Sequence, residues 1–253
     1  MIETINLSKR YEDGNLALDD LNLRVNAGEI YCLLGANGAG KTTTINLMLN
    51  FIEPTSGKVM INGIDMTRDP LEGKKYVAYL SENVMLYGNF TALQNLDFFT
   101  QLGGRRGLSK EDYRRILLDV GLPVKAIEQR VKDFSKGMRQ KLGIAIAIAK
   151  DAPALLLDEP MSGLDPKAAA ELVHTLENLR AQGKAILMST HDIFRAKELA
   201  DRIGIMKDGR KVAELSQAEL LRTDLEQLYL EHMQVDGEAA AALAAPTGAA
   251  VNT

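Results

Sequence analysis

A glycine-rich segment carries the clearest chemistry in this sequence. It reads Gly35, Ala36, Asn37, Gly38, Ala39, Gly40, Lys41, Thr42, Thr43 and fits the phosphate-loop pattern G-x-x-x-x-G-K-[ST]. Glycines let backbone N–H groups converge on a phosphate, and the N-terminus of a following helix adds a positive dipole. Lys41 can reach the β- and γ-phosphates, and the Thr42 hydroxyl can ligate Mg²⁺. The segment predicts a nucleoside triphosphate site; the alternative is a glycine-rich turn without a ligand.

Two adjacent carboxylates, Asp158 and Glu159, follow the apolar residues Ala154–Leu157. At the end of a strand near phosphates, Asp158 suits the second shell of Mg²⁺, and Glu159 suits a general base that polarises an attacking water. Alternation along a strand would point the two side chains in different directions. The alternative is that both are surface charges that end a buried strand.

Four further motifs accompany the phosphate loop and the paired acids along the chain. They are Tyr11, the segment Phe134-Ser135-Lys136-Gly137-Met138-Arg139-Gln140, the segment Met161-Ser162-Gly163-Leu164-Asp165, and His191 within Ser189–Asp192. With the phosphate loop and the paired acids, they resemble the ATPase subunit of ATP-binding cassette (ABC) transporters. The resemblance covers about Met1 to Glu219. The second motif is similar to the family signature L-S-G-G-Q, and the third looks like the family's D-loop.

The resemblance implies two subunits, a homodimer here, that meet head to tail and sandwich two ATP molecules. Ser135 and the Gly137 backbone would then reach the γ-phosphate held by the phosphate loop of the other subunit. Tyr11 would stack on adenine, and His191 would sense the γ-phosphate. The implied ligands of Mg²⁺ are Thr42, Glu82 and Asp158.

The departures from the family pattern include Lys136, Met138 and Glu82. Lys136 replaces the first glycine of the signature, Met138 replaces its glutamine, and Glu82 stands where a Mg²⁺-sensing glutamine is usual. This combination looks most like the branch that serves ABC-2-type exporters, including those for drugs and sodium. The Lys136 side chain must point away, or meet either a phosphate or an acidic partner.

The elements that must position these residues follow from hydrophobic patterning. The first 28 residues predict antiparallel sheet, and five apolar segments predict short strands: Ile30–Leu34, Val59–Ile61, Tyr76–Leu80, Leu155–Leu157 and Ile186–Met188. Helical patterns flank several of these strands, including one from the N-cap Asp165 to Gly183, which indicates a mainly parallel α/β sheet. A late hairpin is predicted across Asp208-Gly209.

The fold class predicted is therefore α/β, a phosphate-loop NTPase core with a mixed, mainly parallel sheet and an antiparallel β subdomain. Helical patterning dominates a predicted insertion at about residues 83–150. Residues 1–235 would form a single ABC ATPase domain. The alanine-rich tail, residues 236–253, is expected to be disordered.

Composition narrows the function classes. The chain has 253 residues with 30 Lys and Arg against 34 Asp and Glu, a formal net charge of −4, which disfavours a nucleic-acid partner. The single Cys32 excludes an internal disulfide and is expected to be an inert core thiol. No apolar run reaches the ~20 residues of a membrane span. Work at a membrane, at its cytoplasmic face, would therefore go through a permease subunit, which the resemblance suggests contacts Val84–Tyr87.

Three alternatives remain. A soluble ABC ATPase of DNA repair would need long coiled coils, yet Asp158 follows Lys41 by only 117 residues without sustained heptads. A regulator with little turnover is disfavoured by Glu159 and His191. An unrelated kinase would leave Ser135–Arg139 unexplained.

A basic cluster in the predicted helical insertion is interpreted as a solvated face, with a lipid-headgroup contact as the alternative. It comprises Arg105, Arg106, Lys110, Arg114 and Arg115.

Overall fold

Two sheets and a helical layer make up the structure, a computed structural model that describes residues 1–233. The strands are β1 (Ile2–Arg10), β2 (Leu16–Val25), β3 (Ile30–Leu34), β4 (Ser56–Ile61), β5 (Ile64–Asp65), β6 (Val77–Leu80), β7 (Ala154–Asp158), β8 (Ala185–Thr190), β9 (Arg202–Lys207) and β10 (Arg210–Ser216). The helices are α1 (Lys41–Met48), α2 (Pro70–Gly73), α3 (Ala92–Leu102), α4 (Lys110–Asp119), α5 (Lys136–Lys150), α6 (Pro166–Ala181), α7 (Ile193–Leu199) and α8 (Gln217–Leu220). Residues 225–233 are also helical.

The smaller sheet is antiparallel, in the order β2-β1-β4-β5. In its register, Thr4 of β1 lies between Leu23 of β2 and Val59 of β4. The predicted strand Val59–Ile61 therefore belongs to this sheet as part of β4. The antiparallel region predicted for the first 28 residues is confirmed.

The larger sheet has the order β10-β9-β3-β8-β7-β6. The pairs from β9 through β6 are parallel, and β10 joins β9 as an antiparallel hairpin across Asp208-Gly209. The mixed, mainly parallel sheet and the late hairpin are thus as predicted. Because parallel strands end at one edge, the segments after β3, β7 and β8 lie close together there.

Each face of the larger sheet covers its own core cluster. Along β3, Ile30, Cys32 and Leu34 belong to one cluster, while Tyr31 and Leu33 belong to the other. This alternation is expected for a strand buried on both faces. Burial raises the pKa of the Cys32 thiol far above its usual range, so the thiol is an inert core group as predicted.

Helices α3, α4 and α5 occupy the region predicted as a helical insertion. Each begins at a hydroxyl N-cap, Thr91, Ser109 and Ser135 respectively, whose side-chain oxygen accepts a backbone N–H of the first turn. One predicted boundary is wrong: Tyr76 lies in a 3-10 turn, and β6 begins at Val77. The turn at Lys74–Tyr76 follows α2 directly, which leaves Tyr76 outside the ladder with β7.

Helix α6 begins as predicted, with the Asp165 carboxylate accepting the N–H of Ala168 at 2.9 Å. None of the helices within residues 1–233 has the length and apolar character needed to cross a bilayer. The alanine-rich tail predicted for 236–253 lies outside the described residues.

Candidate functional site

The phosphate loop joins β3 to α1. Gly40, the N-cap of α1, has φ 100°, a conformation that L side chains rarely adopt. A Cβ on Gly40 would lie 2.7 Å from the Ala17 carbonyl oxygen, and one on Gly35 would lie 2.6 Å from that of Met206. The chain around the loop therefore leaves no space for side chains at these two positions, and the N-terminus of α1 can meet an anion.

Lys41 is 6% exposed and supplies a cation to this loop. Its Nζ donates hydrogen bonds to the carbonyl oxygens of Gly35 at 2.6 Å and Ala36 at 3.1 Å. It also lies 3.6 Å from Glu159 Oε1. The ammonium thus has local partners within the loop and is placed where a bound anion would meet it.

Thr42 and Asp158 come together from α1 and the end of β7. Thr42 Oγ1 lies 3.3 Å from Asp158 Oδ1, which also accepts a hydrogen bond from Ser189 Oγ at 2.5 Å. A hydroxyl and a carboxylate are hard oxygen donors of the kind Mg²⁺ prefers. Within residues 1–233 no group of three or more His, Cys, Asp and Glu side chains forms a metal cage. The two donors therefore fit an ion that takes its other ligands from phosphate and water.

Ser189 contributes to the site, although it was not among the predicted site residues. It is fully buried in β8. Its Oγ donates a hydrogen bond to the Asp158 carboxylate and accepts one from the Glu159 backbone N–H at 3.0 Å. It holds both acids in place through one hydroxyl. A signal was present, since a serine directly after the apolar residues 185–188 of a buried strand must find a hydrogen-bond partner.

Glu159 has a left-handed backbone conformation and a largely buried side chain. Its φ is +46°, in the left-handed region, and its side chain is 12% exposed. His191 Nδ1 lies 3.0 Å from its Oε1, yet among the described residues this buried oxygen has no partner with hydrogen-bond geometry. A carboxylate oxygen that lacks a hydrogen-bond donor among the described residues can accept a proton or polarise water. His191 is 57% exposed and reaches the same atom from the end of β8.

A cavity of about 540 Å³ lies beside Lys41, Thr42 and Glu159, whereas Asp158 and His191 do not line it. Its lining comprises Tyr11, Asn15, Leu16, Ala17, Ala36, Asn37, Gly38, Gly40, Lys41, Thr42, Thr43, Glu82, Glu159, Asp208 and Gly209. Tyr11 is 36% exposed at its rim, with Lys9 Nζ 5.3 Å from the ring centroid. Gly35 and Ala39 are buried beside Met206 and Gly209 and do not line the cavity.

Ser135 and Gly137 lie outside the cavity around Lys41. Ser135 caps α5, where its Oγ accepts the N–H of Met138 at 3.3 Å, and a Cβ on Gly137 would lie 3.5 Å from Ala168 of α6. Neither residue lines the cavity around Lys41. Within one chain the phosphate loop and the segment with Ser135 and Gly137 are separate. Contact of both with one triphosphate therefore stays a prediction about two subunits.

Glu82 lines the nucleotide-sized cavity, but its carboxylate has other partners. Its Oε1 accepts a hydrogen bond from Ser162 Oγ at 3.0 Å and lies 3.9 Å from Lys136 Nζ. Of the alternatives open for Lys136, the structure shows the acidic partner. Ligation of Mg²⁺ by Glu82 stays a prediction.

In the predicted permease contact, Val84–Tyr87, the first two residues line a groove of about 330 Å³. The four side chains of this segment differ in exposure. Met85 and Tyr87 are 84% and 49% exposed, whereas Val84 and Leu86 are partly buried against the core. Alternation along this extended segment turns every second side chain inward.

The basic cluster of the helical insertion is paired on the surface. Arg114 Nη2 lies 2.5 Å from Glu128, and Arg115 Nη2 lies 2.5 Å from Asp112. Arg105 lies 3.3 Å from Asp151. These pairs favour the interpretation as a solvated face.

Comparison with known proteins identifies the class. Residues 18–162 match the family model described as ABC transporter. The bacitracin transport ATP-binding protein BcrA of Enterococcus faecalis is 37% identical over 95% of this chain and 77% of its own length. The carnitine transport ATP-binding protein OpuCA of Listeria monocytogenes is 34% identical over 88% of this chain, which spans 57% of that relative.

Two solved structures agree with the fold. An ATP-binding subunit of an ABC transporter superposes with a TM-score of 0.81 at 32% identity, over 91% of this chain and 98% of that one. A dimeric ATP-binding cassette in a post-hydrolysis state, bound to ADP and Pi, gives 0.78 at 29% identity, over 86% and 99%. The chain therefore belongs to the ABC transporter family, as an ATP-binding cassette ATPase.

Proposed function

We propose that this chain is the subunit that hydrolyses ATP to drive substrate export through a separate membrane permease. The observation that carries the proposal is the cavity lined by Lys41, Thr42 and Glu159. Asp158 contacts Thr42, and His191 contacts Glu159. The elements that bring them together are the ends of three neighbouring strands, β3, β8 and β7. This is the constellation required to bind a triphosphate and to activate water beside it.

The proposed roles are supported by the positions of these residues and by the family resemblance. Lys41 exchanges its carbonyl partners for the β- and γ-phosphates, whose charge the loop N–H groups also stabilise. Thr42 and Asp158 hold Mg²⁺, which neutralises phosphate charge when bound. Glu159 accepts the proton of the attacking water on Oε1, and His191 lies beside that oxygen to contact the γ-phosphate. Tyr11 stacks on the adenine at the rim of the cavity.

The active unit is a homodimer that closes on ATP. Ser135 and Gly137 lie at the N-terminus of α5, away from their own chain's cavity, and a second copy placed head to tail would bring them to the triphosphate. The dimeric cassette bound to ADP and Pi supports this arrangement. Closure in the presence of the γ-phosphate and opening after hydrolysis would then drive the permease.

Export is the direction proposed, with the chain held at the cytoplasmic face of the membrane by its permease. The support is the resemblance carried by Glu82, Lys136 and Met138. The relatives named for bacitracin and carnitine transport do not share one substrate, so the transported molecule follows from the permease rather than from this chain. The permease contact proposed is the groove beside Met85 and Tyr87.

Lys41→Ala tests the nucleotide site directly. Calorimetry with ATP and Mg²⁺ should show binding to the wild-type chain and none to the variant, because the buried cation of the loop is lost. Micromolar binding retained by Lys41→Ala would remove Lys41 from this role.

The direction of transport is tested separately, in inverted membrane vesicles that contain this chain and its permease. Accumulation of the transported substrate inside the vesicles upon ATP addition supports export, and its release contradicts export.

A further inference from the structure

Glu82 lies where three segments of the chain meet. Its carboxylate contacts Ser162, in the segment before α6, and Lys136, at the start of α5. Its backbone carbonyl accepts a hydrogen bond at 2.9 Å from Nε2 of Gln140, which is 1% exposed. The loop after β6 is therefore fixed to α5 by a buried amide and by an ion pair.

The same carboxylate belongs to the nucleotide cavity. The charged residues that line this cavity, within the described chain, are the acids Glu82, Glu159 and Asp208 and the base Lys41. A triphosphate adds several negative charges to this excess of acids. Glu82 without a counter-charge would therefore oppose binding by electrostatic repulsion.

Lys136 is placed to supply that counter-charge. Its Nζ would lie 3.2 Å from a Cβ on Gly163, so the side chain extends along the segment that holds Ser162. The Lys136 and Glu82 side chains are 41% and 45% exposed. Ion pairs with such exposure add little to folding stability, so the effect of this pair is on the local charge of the cavity.

We propose that Lys136 is a positioning residue that compensates Glu82 within one subunit and thereby raises the triphosphate affinity of that subunit's own cavity. This inference rests on the proposed nucleotide site. The rival is a direct contact between Lys136 and a triphosphate bound by the other subunit. The two differ in a testable way, because compensation within one subunit requires Glu82 and operates in a monomer.

A double-mutant cycle on the full chain tests the proposal. The variants are Lys136→Gln, Glu82→Gln and both together, titrated by calorimetry with Mg²⁺ and the non-hydrolysable analogue AMP-PNP at a concentration where sedimentation shows monomers. We expect Lys136→Gln to weaken binding about fivefold, as one partly screened charge would at this range. In the Glu82→Gln background the same substitution should change the dissociation constant by less than about twofold.

Two controls sharpen the cycle. Lys136→Arg keeps the charge and should retain wild-type affinity, whereas a merely steric role of lysine would not survive this change. Lys132→Gln removes a neighbouring exposed positive charge and should have no effect. Higher salt should reduce the loss in Lys136→Gln, because the pair is partly exposed.

The outcomes separate this inference from the proposed function. Binding by Lys136→Gln equal to wild type, or an equal loss with and without Glu82, overturns the compensation within one subunit. If the wild type binds AMP-PNP and Lys41→Ala does not, the proposed site stands whichever way the cycle falls. A wild-type chain that does not bind AMP-PNP would refute the site, and the inference with it.

Discussion

The Glu159 carboxylate combines burial with an unsatisfied acceptor atom. Unpaired buried oxygens are rare in folded proteins, because each one loses the hydrogen bonds that water would make. Here Ser189 holds the backbone, and Lys41 and His191 lie within 3.6 Å of Oε1. The atom is thus placed at the centre of the site while its lone pairs remain available to a substrate.

Glu159→Gln should separate binding from hydrolysis. The amide keeps the size of the side chain but cannot accept a proton, so ATP affinity should persist while turnover falls by roughly 10²–10⁴. Gel filtration with ATP should then show an accumulated dimer. Phosphate release at the wild-type rate would falsify the assignment of Glu159 as general base.

Helix α5 packs against β6 through a small residue. A Cβ on Gly143 would lie 2.3 Å from Leu80 Cδ1 and 3.0 Å from Val84 Cγ1. Leu80 is 2% exposed and has little room to move. The glycine thus allows the helix that begins at Ser135 to approach the strand that leads to Glu82.

Gly143→Ala should therefore destabilise the protein although alanine favours helices. Overpacking costs about 1–3 kcal/mol, and the gain in helix propensity returns about 1 kcal/mol. We expect a net loss of about 1 kcal/mol in the free energy of unfolding, seen as a lower urea midpoint with an unchanged slope. Gly88→Ala is the matched control, since its new methyl group would meet Lys132 Cβ at an ordinary 3.4 Å; a loss of equal size there would contradict the packing argument.

The elements show what a sequence can and cannot predict. The phosphate loop and the N-cap at Asp165 depend on neighbouring residues, so spacing was sufficient to place them. The contact between Lys136 and Glu82 joins residues far apart in the chain, and its existence depends on how α5 packs on β6. The left-handed backbone of Glu159 has no local signal, because glutamate rarely adopts it. The inward turn of Val84 likewise required the tertiary structure.

At the scale of the whole molecule, two cavities lie on either side of one loop. The nucleotide cavity and the groove beside Met85 are both lined by Glu82. Beyond the groove, Tyr87 packs its ring against Phe90, Phe98 and Phe99 at centroid distances of 5.0–5.8 Å. This half-exposed aromatic surface is suited to receive a short helix of a membrane subunit.

Tyr87→Glu should weaken association with the permease and leave the basal ATPase rate unchanged. A charge in the aromatic cluster opposes burial by a partner, whereas Tyr87 does not line the nucleotide cavity. Pull-down with the permease and phosphate release by the isolated chain measure the two effects. Leu71→Glu, at a position 79% exposed on α2, is the control; unchanged association of Tyr87→Glu would contradict the proposed groove.

The positive φ of Glu159 has a consequence for engineering. Left-handed backbone costs a non-glycine residue of the order of 1 kcal/mol, which glycine would recover. A selection for heat resistance alone would therefore enrich glycine at this position and discard the carboxylate that is proposed to activate water. Libraries built on this chain should hold position 159 constant, because thermal tolerance and turnover make opposite demands on it.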